Sequence, residues 1–195
     1  MVLCSTDPHL RFLWTASRPS VLLGEAPVQL SPAWRLMLMG DGSPTRHLQL
    51  LTGQMVKVEL IGMEPEIHPS HQRPDEVAEL NGPLLLRQVW LRCGEETLMW
   101  AESWWNQQDA QDHLRDLRQP VWASLFQDRV ELFREVDGLG QVESTTLEQG
   151  FSVSSGPLWC RHYRFFKGGQ VLTVIREVFS PALETYLGSS SVTTS

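Results

Sequence analysis

Pro83-Leu84-Leu85-Leu86-Arg87-Gln88-Val89-Trp90-Leu91-Arg92-Cys93 is an apolar run rich in β-formers, halted at once by Gly94-Glu95-Glu96. Such a run reads as a strand. Side chains on a strand alternate between faces, so Arg87 shares the apolar face of Leu85, Val89 and Leu91. The same anomaly recurs in Val171-Leu172-Thr173-Val174-Ile175-Arg176-Glu177-Val178-Phe179, where Glu177 lies with Val171, Ile175 and Phe179. A lone charge in an apolar layer is costly, so each needs a partner or a ligand. Two readings stand: Arg87 and Glu177 pair with each other as a structural bridge, or they line a small pocket and hold the two ends of a polar substrate.

Beyond Gly94, Thr97 to Trp105 returns as the second arm of an antiparallel hairpin. Trp100, Trp104 and Trp105 on it suit core packing better than stacking on a planar ligand, because indoles bury large areas. Asn106 caps a helix with Ala110, Leu114 and Leu117 inward, Pro120 opens another through Phe126, and residues 130–136 are strand-like. Gly138-Leu139-Gly140 reads as a turn, followed by polar chain to Gly150. Leu158 to Phe166 and the strand of Glu177 are joined by Lys167-Gly168-Gly169, a strong hairpin signal. Pro181 ends that strand, and residues 188–195, nearly all Ser, Thr and Gly, read as a disordered tail.

Toward the N-terminus, Met55 to Met63 alternates Val56, Val58 and Leu60 with Lys57 and Glu59, a half-exposed strand. Before it, Ser31-Pro32 and Ser43-Pro44 each place an N-cap ahead of a first-turn proline. The two helices meet at Gly40-Asp41-Gly42 and the second stops at Gly53; this hairpin is either a core cap or a flap over a pocket. Residues 1–30, punctuated by Pro8, Pro19 and Pro27, read as a loose lead-in, and 64–82 as a long loop with a short helix near Asp75 to Leu80. His68 and His71 in that loop have His-x-x-His spacing, but Pro69 lies between them and no third ligand follows, so solvated histidines are expected rather than a metal site. No βαβ alternation occurs, so the expected architecture is α+β: one domain over 1–187, with an antiparallel sheet of about six strands and helices and a helical flap on one face.

At 195 residues, 42% hydrophobic and 20% charged, the chain has the length and composition of one globular domain. A net charge of −7, with 16 Lys and Arg scattered, argues against a nucleic-acid surface and means that an anionic ligand needs a local basic site. Cys4, Cys93 and Cys160 show no CxxC spacing and suit reduced thiols in a cytoplasmic protein. No stretch approaches the roughly 20 apolar residues of a membrane span. There is no phosphate-binding glycine loop and no nucleophile elbow; Ser154-Ser155-Gly156 reads as a linker.

Taken in order, Gly42-Ser43-Pro44-Thr45-Arg46-His47-Leu48, Leu86-Arg87-Gln88-Val89-Trp90-Leu91, Ala101-Glu102-Ser103, Pro120-Val121-Trp122-Ala123-Ser124-Leu125-Phe126, Trp159-Cys160-Arg161-His162 and Ile175-Arg176-Glu177-Val178-Phe179-Ser180-Pro181 resemble the chorismate lyase (chorismate–pyruvate lyase) family, in the form found in oxygenic photosynthetic microbes. The resemblance covers about Pro32 to Tyr186. It implies an antiparallel sheet with helical flaps over a buried site and a monomer that needs no metal or organic cofactor. It also implies conversion of chorismate to 4-hydroxybenzoate and pyruvate, the former for a plastoquinone-type quinone pathway. By position, the substrate-carboxylate arginine falls on Arg87, the catalytic glutamate on Glu177, the flap contact near Pro44-Thr45 and a backbone contact to the ligand carboxylate near Val121. The chain departs from the bacterial pattern in having Trp122 for a glycine and Ser103 for a second pocket arginine, whose role would pass to Arg129, Arg134 or Arg161. The same fold also serves regulators as a non-catalytic effector-binding module, which is the alternative reading.

Overall fold

The structure, a computed structural model, describes residues 8–26, 29–67, 72–114, 116–121, 125, 133–154 and 156–191. Seven antiparallel strands form one sheet in the order β1-β5-β6-β7-β4-β3-β2. They are β1 (Arg11–Ser17), β2 (Val56–Pro65), β3 (Leu84–Cys93), β4 (Glu96–Asn106), β5 (Phe133–Glu143), β6 (Leu158–Lys167) and β7 (Gln170–Phe179). The hairpins read from sequence are β3-β4 and β6-β7, and β7 and β4 then pair to bring the two halves together. Gly168 and Gly169 hold φ of 57° and 80° in the β6-β7 turn, the left-handed pair that a two-residue hairpin loop requires.

Three segments differ from expectation, the last of them at the C-terminal end. The lead-in contains an edge strand, β1, paired with β5, and a short helix α1 (Arg18–Leu22) capped by Ser17. Proline spacing hides β1 because it is only half covered and its sequence lacks strict alternation. Gly138 and Gly140 do not turn the chain; they lie within β5, beside a register shift between Val136 and Gly138. Their small size answers to close approach: a Cβ on Gly138 would come within 2.4 Å of the His162 ring, and one on Gly140 within 2.6 Å of Trp14 O. The polar stretch that follows is a helix, capped by Ser144, not loose chain.

The remaining helices are α2 (Pro32–Met39), α3 (Pro44–Thr52), α4 (Gln107–His113), α5 (Thr145–Phe151) and α6 (Glu184–Leu187). Gly53, at φ 67°, terminates α3, and Asn106 caps α4 by accepting from the N–H groups of Gln108 and Asp109. A single 3-10 turn, Asp75–Glu79, occupies the proline-rich loop. Helices α2 and α3 pack one apolar cluster onto the sheet, with Trp34, Leu38 and Leu48 against Val89, Leu91 and Met99. Helix α4 and the chain after it pack a second cluster on the same face, with Ala110, Leu114 and Leu125 against Trp105, Tyr163 and Ile175. The opposite face is covered by α5 on Trp100 and Val178 and by the 3-10 turn on Trp104 and Val174. Trp100, Trp104 and Trp105 are therefore core residues, each at most 1% exposed.

Residues 188–191, expected in the disordered tail, lie against the entry to α2: Leu30 bridges Ser191, and Trp34 Nε1 donates to Gly188 O at 2.9 Å. Residues 192–195, expected in the disordered tail, and the loop histidines His68 and His71 lie outside the described residues. Among the described residues no group of three or more potential metal ligands occurs, and no helix is long and apolar enough to cross a membrane. Cys93 and Cys160 are free and buried, and burial pushes the Cys160 thiol up to about 12, so neither is poised as a nucleophile.

Candidate functional site

The seam between the two apolar clusters of the face covered by α2, α3 and α4 is polar. Antiparallel register puts Arg87, Ser103, Ile175 and Tyr163 in one row across β3, β4, β7 and β6, and Val89, Ala101, Glu177 and Arg161 in the next. Thus three charges, Arg87, Glu177 and Arg161, and the Tyr163 phenol converge on one patch of an otherwise apolar face. Above it lie the first turn of α3 and the chain at Pro120-Val121. Together they enclose a cavity of ≈ 40 Å³ whose wall includes Thr45, Arg87, Ser103, Val121, Arg134 and Glu177. That volume admits water; an engineered cavity that takes benzene is about 150 Å³. A ring-sized ligand must therefore displace part of the wall, and the α2-α3 hairpin and the chain around Val121 are the parts not held in the sheet.

Glu177 is 3% exposed and does not pair with Arg87. Its Oε2 accepts from Arg161 Nε at 2.7 Å and its Oε1 from the Tyr163 hydroxyl at 2.8 Å. Arg161, fully buried, also donates through Nη1 to Met37 O at 3.1 Å and Leu38 O at 2.8 Å. Those carbonyls end α2, where helical backbone lacks intrahelical partners and carries partial negative charge. One arginine therefore neutralises the glutamate, caps the flap helix and fixes the carboxylate over the sheet. Burial, and next the Glu177 charge, raise the Tyr163 phenol above its ordinary value, so Tyr163 keeps its proton near neutrality and donates a hydrogen bond to the carboxylate.

Arg87 is 3% exposed, and its bonds are to backbone: Nη2 donates to Leu117 O at 2.7 Å and Gln119 O at 3.0 Å. Its Nε is buried without a hydrogen-bond partner, and it has no carboxylate within ion-pair distance among the described residues. Burial lowers its guanidinium to about 10, Asp116 opposing the shift, so it stays charged at neutral pH. The mutual-bridge reading is thus excluded, and a buried cation on the cavity wall remains. Thr45 sits in the first turn of α3, 5% exposed, and Val121 is half-buried on the opposite lip. Ser103 accepts from Trp105 Nε1 at 2.9 Å. Trp122 and Arg129 lie outside the described residues. Tyr163 was not singled out from sequence, although it has the same strand parity as Arg161; its role emerges only once β6 is laid beside β7.

The fold and its site define a single-sheet α+β protein with a buried, basic-walled cavity under a helical flap. A family model described as chorismate pyruvate-lyase Rv2949c-like matches residues 38–187, and the chain belongs to that family. It is 28% identical over 90% of its length to the uncharacterised ycf21 protein of Cyanophora paradoxa, 91% of which is covered. It is 31% identical over 78% of its length to the uncharacterised ycf21 protein of Porphyra purpurea, 83% of which is covered. Among solved structures it is similar to the effector domain of PhnF from Mycobacterium smegmatis (TM-score 0.57, 10% identity, 74% of this chain and 92% of that one). It is also similar to the C-terminal domain of the histidine utilization repressor from Pseudomonas syringae (TM-score 0.51, 14% identity, 72% and 99%). At those identities the structures share the fold.

Proposed function

We propose that the protein is a chorismate lyase, eliminating pyruvate from chorismate to leave 4-hydroxybenzoate. The observation that carries this reading is the juxtaposition, in one buried cavity, of a guanidinium without a carboxylate partner among the described residues, Arg87, with a carboxylate, Glu177, whose two oxygens are held by Arg161 and Tyr163. Arg87 takes the ring carboxylate through charge-assisted bonds, beside the backbone at Val121, and Thr45 closes over the ligand from the flap. Glu177 addresses the ring carbon that bears the hydroxyl. As the C–H pair there becomes a ring π bond, the ether C–O bond breaks, its electron pair leaves with enolpyruvate, and a proton returned to that fragment gives pyruvate. Aromatisation supplies the driving force, so the protein needs to orient the ring, hold its carboxylate and move one proton. The product feeds a quinone pathway on this reading.

Purified protein incubated with chorismate and no added metal is expected to release pyruvate in equal amount to 4-hydroxybenzoate; absence of both at high protein concentration rejects the lyase. The likeness to effector domains favours one other reading, a ligand-binding module without turnover, which the same assay separates: chorismate then binds and is recovered unchanged.

A further inference from the structure

The cavity holds a second arginine, Arg134, with no carboxylate partner among the described residues. Arg134 enters from β5, and its Nη1 donates to Gly42 O at 2.5 Å, in the turn between α2 and α3. Its guanidinium lies over the rings of Tyr163 and Phe165 at 4.6 Å and 4.5 Å. Its Nε is buried without a hydrogen-bond partner, and no carboxylate lies within ion-pair distance among the described residues. The two rings stand at 89° to each other, so they bracket the guanidinium carbon from two sides and hold it beside the cavity without using its N–H donors. Arg161 is not equivalent to it, because Glu177 and the α2 carbonyls already occupy its donors apart from Nη2. Ser43, on the same wall, adds a buried hydroxyl without a partner.

Arg87 and Arg134 come from strands four places apart in the sheet, roughly 19 Å at the backbone for a strand spacing of about 4.8 Å. Their side chains nevertheless line one cavity. We propose that Arg134 is the second anion-holding, specificity-determining residue: it takes the carboxylate of a dicarboxylate ligand distal to the one on Arg87, and its bond to Gly42 O joins that recognition to closure of the α2-α3 hairpin. For the substrate this rests on the lyase reading, in which the distal group is the enolpyruvyl carboxylate. Ser103, short and engaged by Trp105, does not supply a cation at that end, and Arg134 does so from a different strand. A product with one carboxylate leaves Arg134 without its anion, so the flap is released when pyruvate departs.

The test compares two probes that cannot react: 4-hydroxybenzoate, with one carboxylate, and 4-(carboxymethoxy)benzoate, with a second on an ether arm. Binding is measured by calorimetry for the wild-type chain, Arg134→Gln, which keeps a donor for Gly42 O, and Arg134→Lys, which keeps the charge. Wild type is expected to prefer the dicarboxylate; Arg134→Gln is expected to lose about ten- to hundredfold in affinity for it while binding 4-hydroxybenzoate within about twofold. Equal weakening of both probes, or of neither, overturns the assignment. Should Arg134→Gln melt below the assay temperature, Arg134→Lys decides: a retained dicarboxylate preference supports the proposal, and a lost preference in a folded variant overturns it. The lyase reading fails separately. Wild type that prefers the dicarboxylate through Arg134 but releases no pyruvate from chorismate keeps this assignment and loses the enzyme, whereas turnover with an unchanged KM in Arg134→Gln does the reverse.

Discussion

On the face covered by α5, inward arginines are finished by the protein: Arg176 Nε donates to Glu102 Oε1 at 2.5 Å, Gln88 Nε2 donates to the other oxygen at 3.3 Å, and Arg164 Nε reaches both oxygens of Asp137 at 3.1 Å and 3.0 Å. On the face covered by α2, α3 and α4, among the described residues, Arg161 has a carboxylate, whereas Arg87 and Arg134 donate to backbone carbonyls with a buried Nε left over in each. Both faces belong to one sheet, with the same strand twist and similar apolar neighbours. A buried donor without a partner costs about 1–3 kcal/mol. Arg87 and Arg134, each with such an Nε, line the same cavity, and the ligand contacts proposed above rest on that placement.

Breaking a completed pair should have the largest effect. Arg176→Met strands Glu102 beside Gln88 and is expected to lower unfolding free energy by about 3–5 kcal/mol, read from denaturant midpoints, with 4-hydroxybenzoate affinity of the folded fraction unchanged. Glu177→Gln is the mixed case: it strands Arg161 and so loses stability on the same scale, and turnover per folded molecule falls about 10²–10⁴-fold. Wild-type turnover in that variant would remove Glu177 from the chemistry. Arg87→Met should invert the pattern, with a melting temperature at or above wild type, since no charge is stranded among the described residues, and product affinity lower by at least about tenfold. A large loss of stability there would mean that Arg87 is structural. Tyr163→Phe removes one of two donors on Glu177 and should lower kcat about tenfold with KM little changed, which steady-state kinetics can resolve.

The smallest effect concerns pH. His47, on α3, packs its ring against the α2-α3 turn, where a Cβ on Gly42 would come within 2.3 Å of Nε2. Burial, then the charges of Arg161 and Arg134, hold the imidazole below its ordinary value of 6.5. A base with a lowered folded pKa binds fewer protons folded than unfolded below that ordinary value, so stability falls as pH drops from about 6.5 through the folded pKa. Amide exchange in residues 32–52 is expected to speed up in mild acid, and His47→Gln should flatten that dependence. An unchanged acid profile in the variant would locate the titrating group elsewhere.

Local pattern determined most of the architecture. Alternation marked β2, an apolar run of β-formers marked β3, the turn at Gly94 marked β4 as its return arm, and a glycine pair joined β6 to β7; serine-proline pairs marked the starts of α2 and α3, and strand parity singled out Arg87 and Glu177 as misplaced charges, because each signal depends on a few neighbouring residues. Tertiary structure decided whatever needed two distant segments at once. Gly138 and Gly140 look the same in sequence whether they turn a chain or admit a neighbour, and only the approach of His162 and Trp14 distinguishes the two. The edge strand β1 exists because β5 offers it hydrogen bonds. Parity places a charge on a face without naming its partner, so Glu177 could be matched to Arg161 and Tyr163, and Arg87 and Arg134 found on one cavity wall without a carboxylate among the described residues, only when β5, β6, β7, β4 and β3 lay side by side. The physical reason is range: backbone preference is settled within a turn or two of chain, whereas the neutralisation of a buried charge is settled by whatever the folded sheet brings within about 3 Å of it.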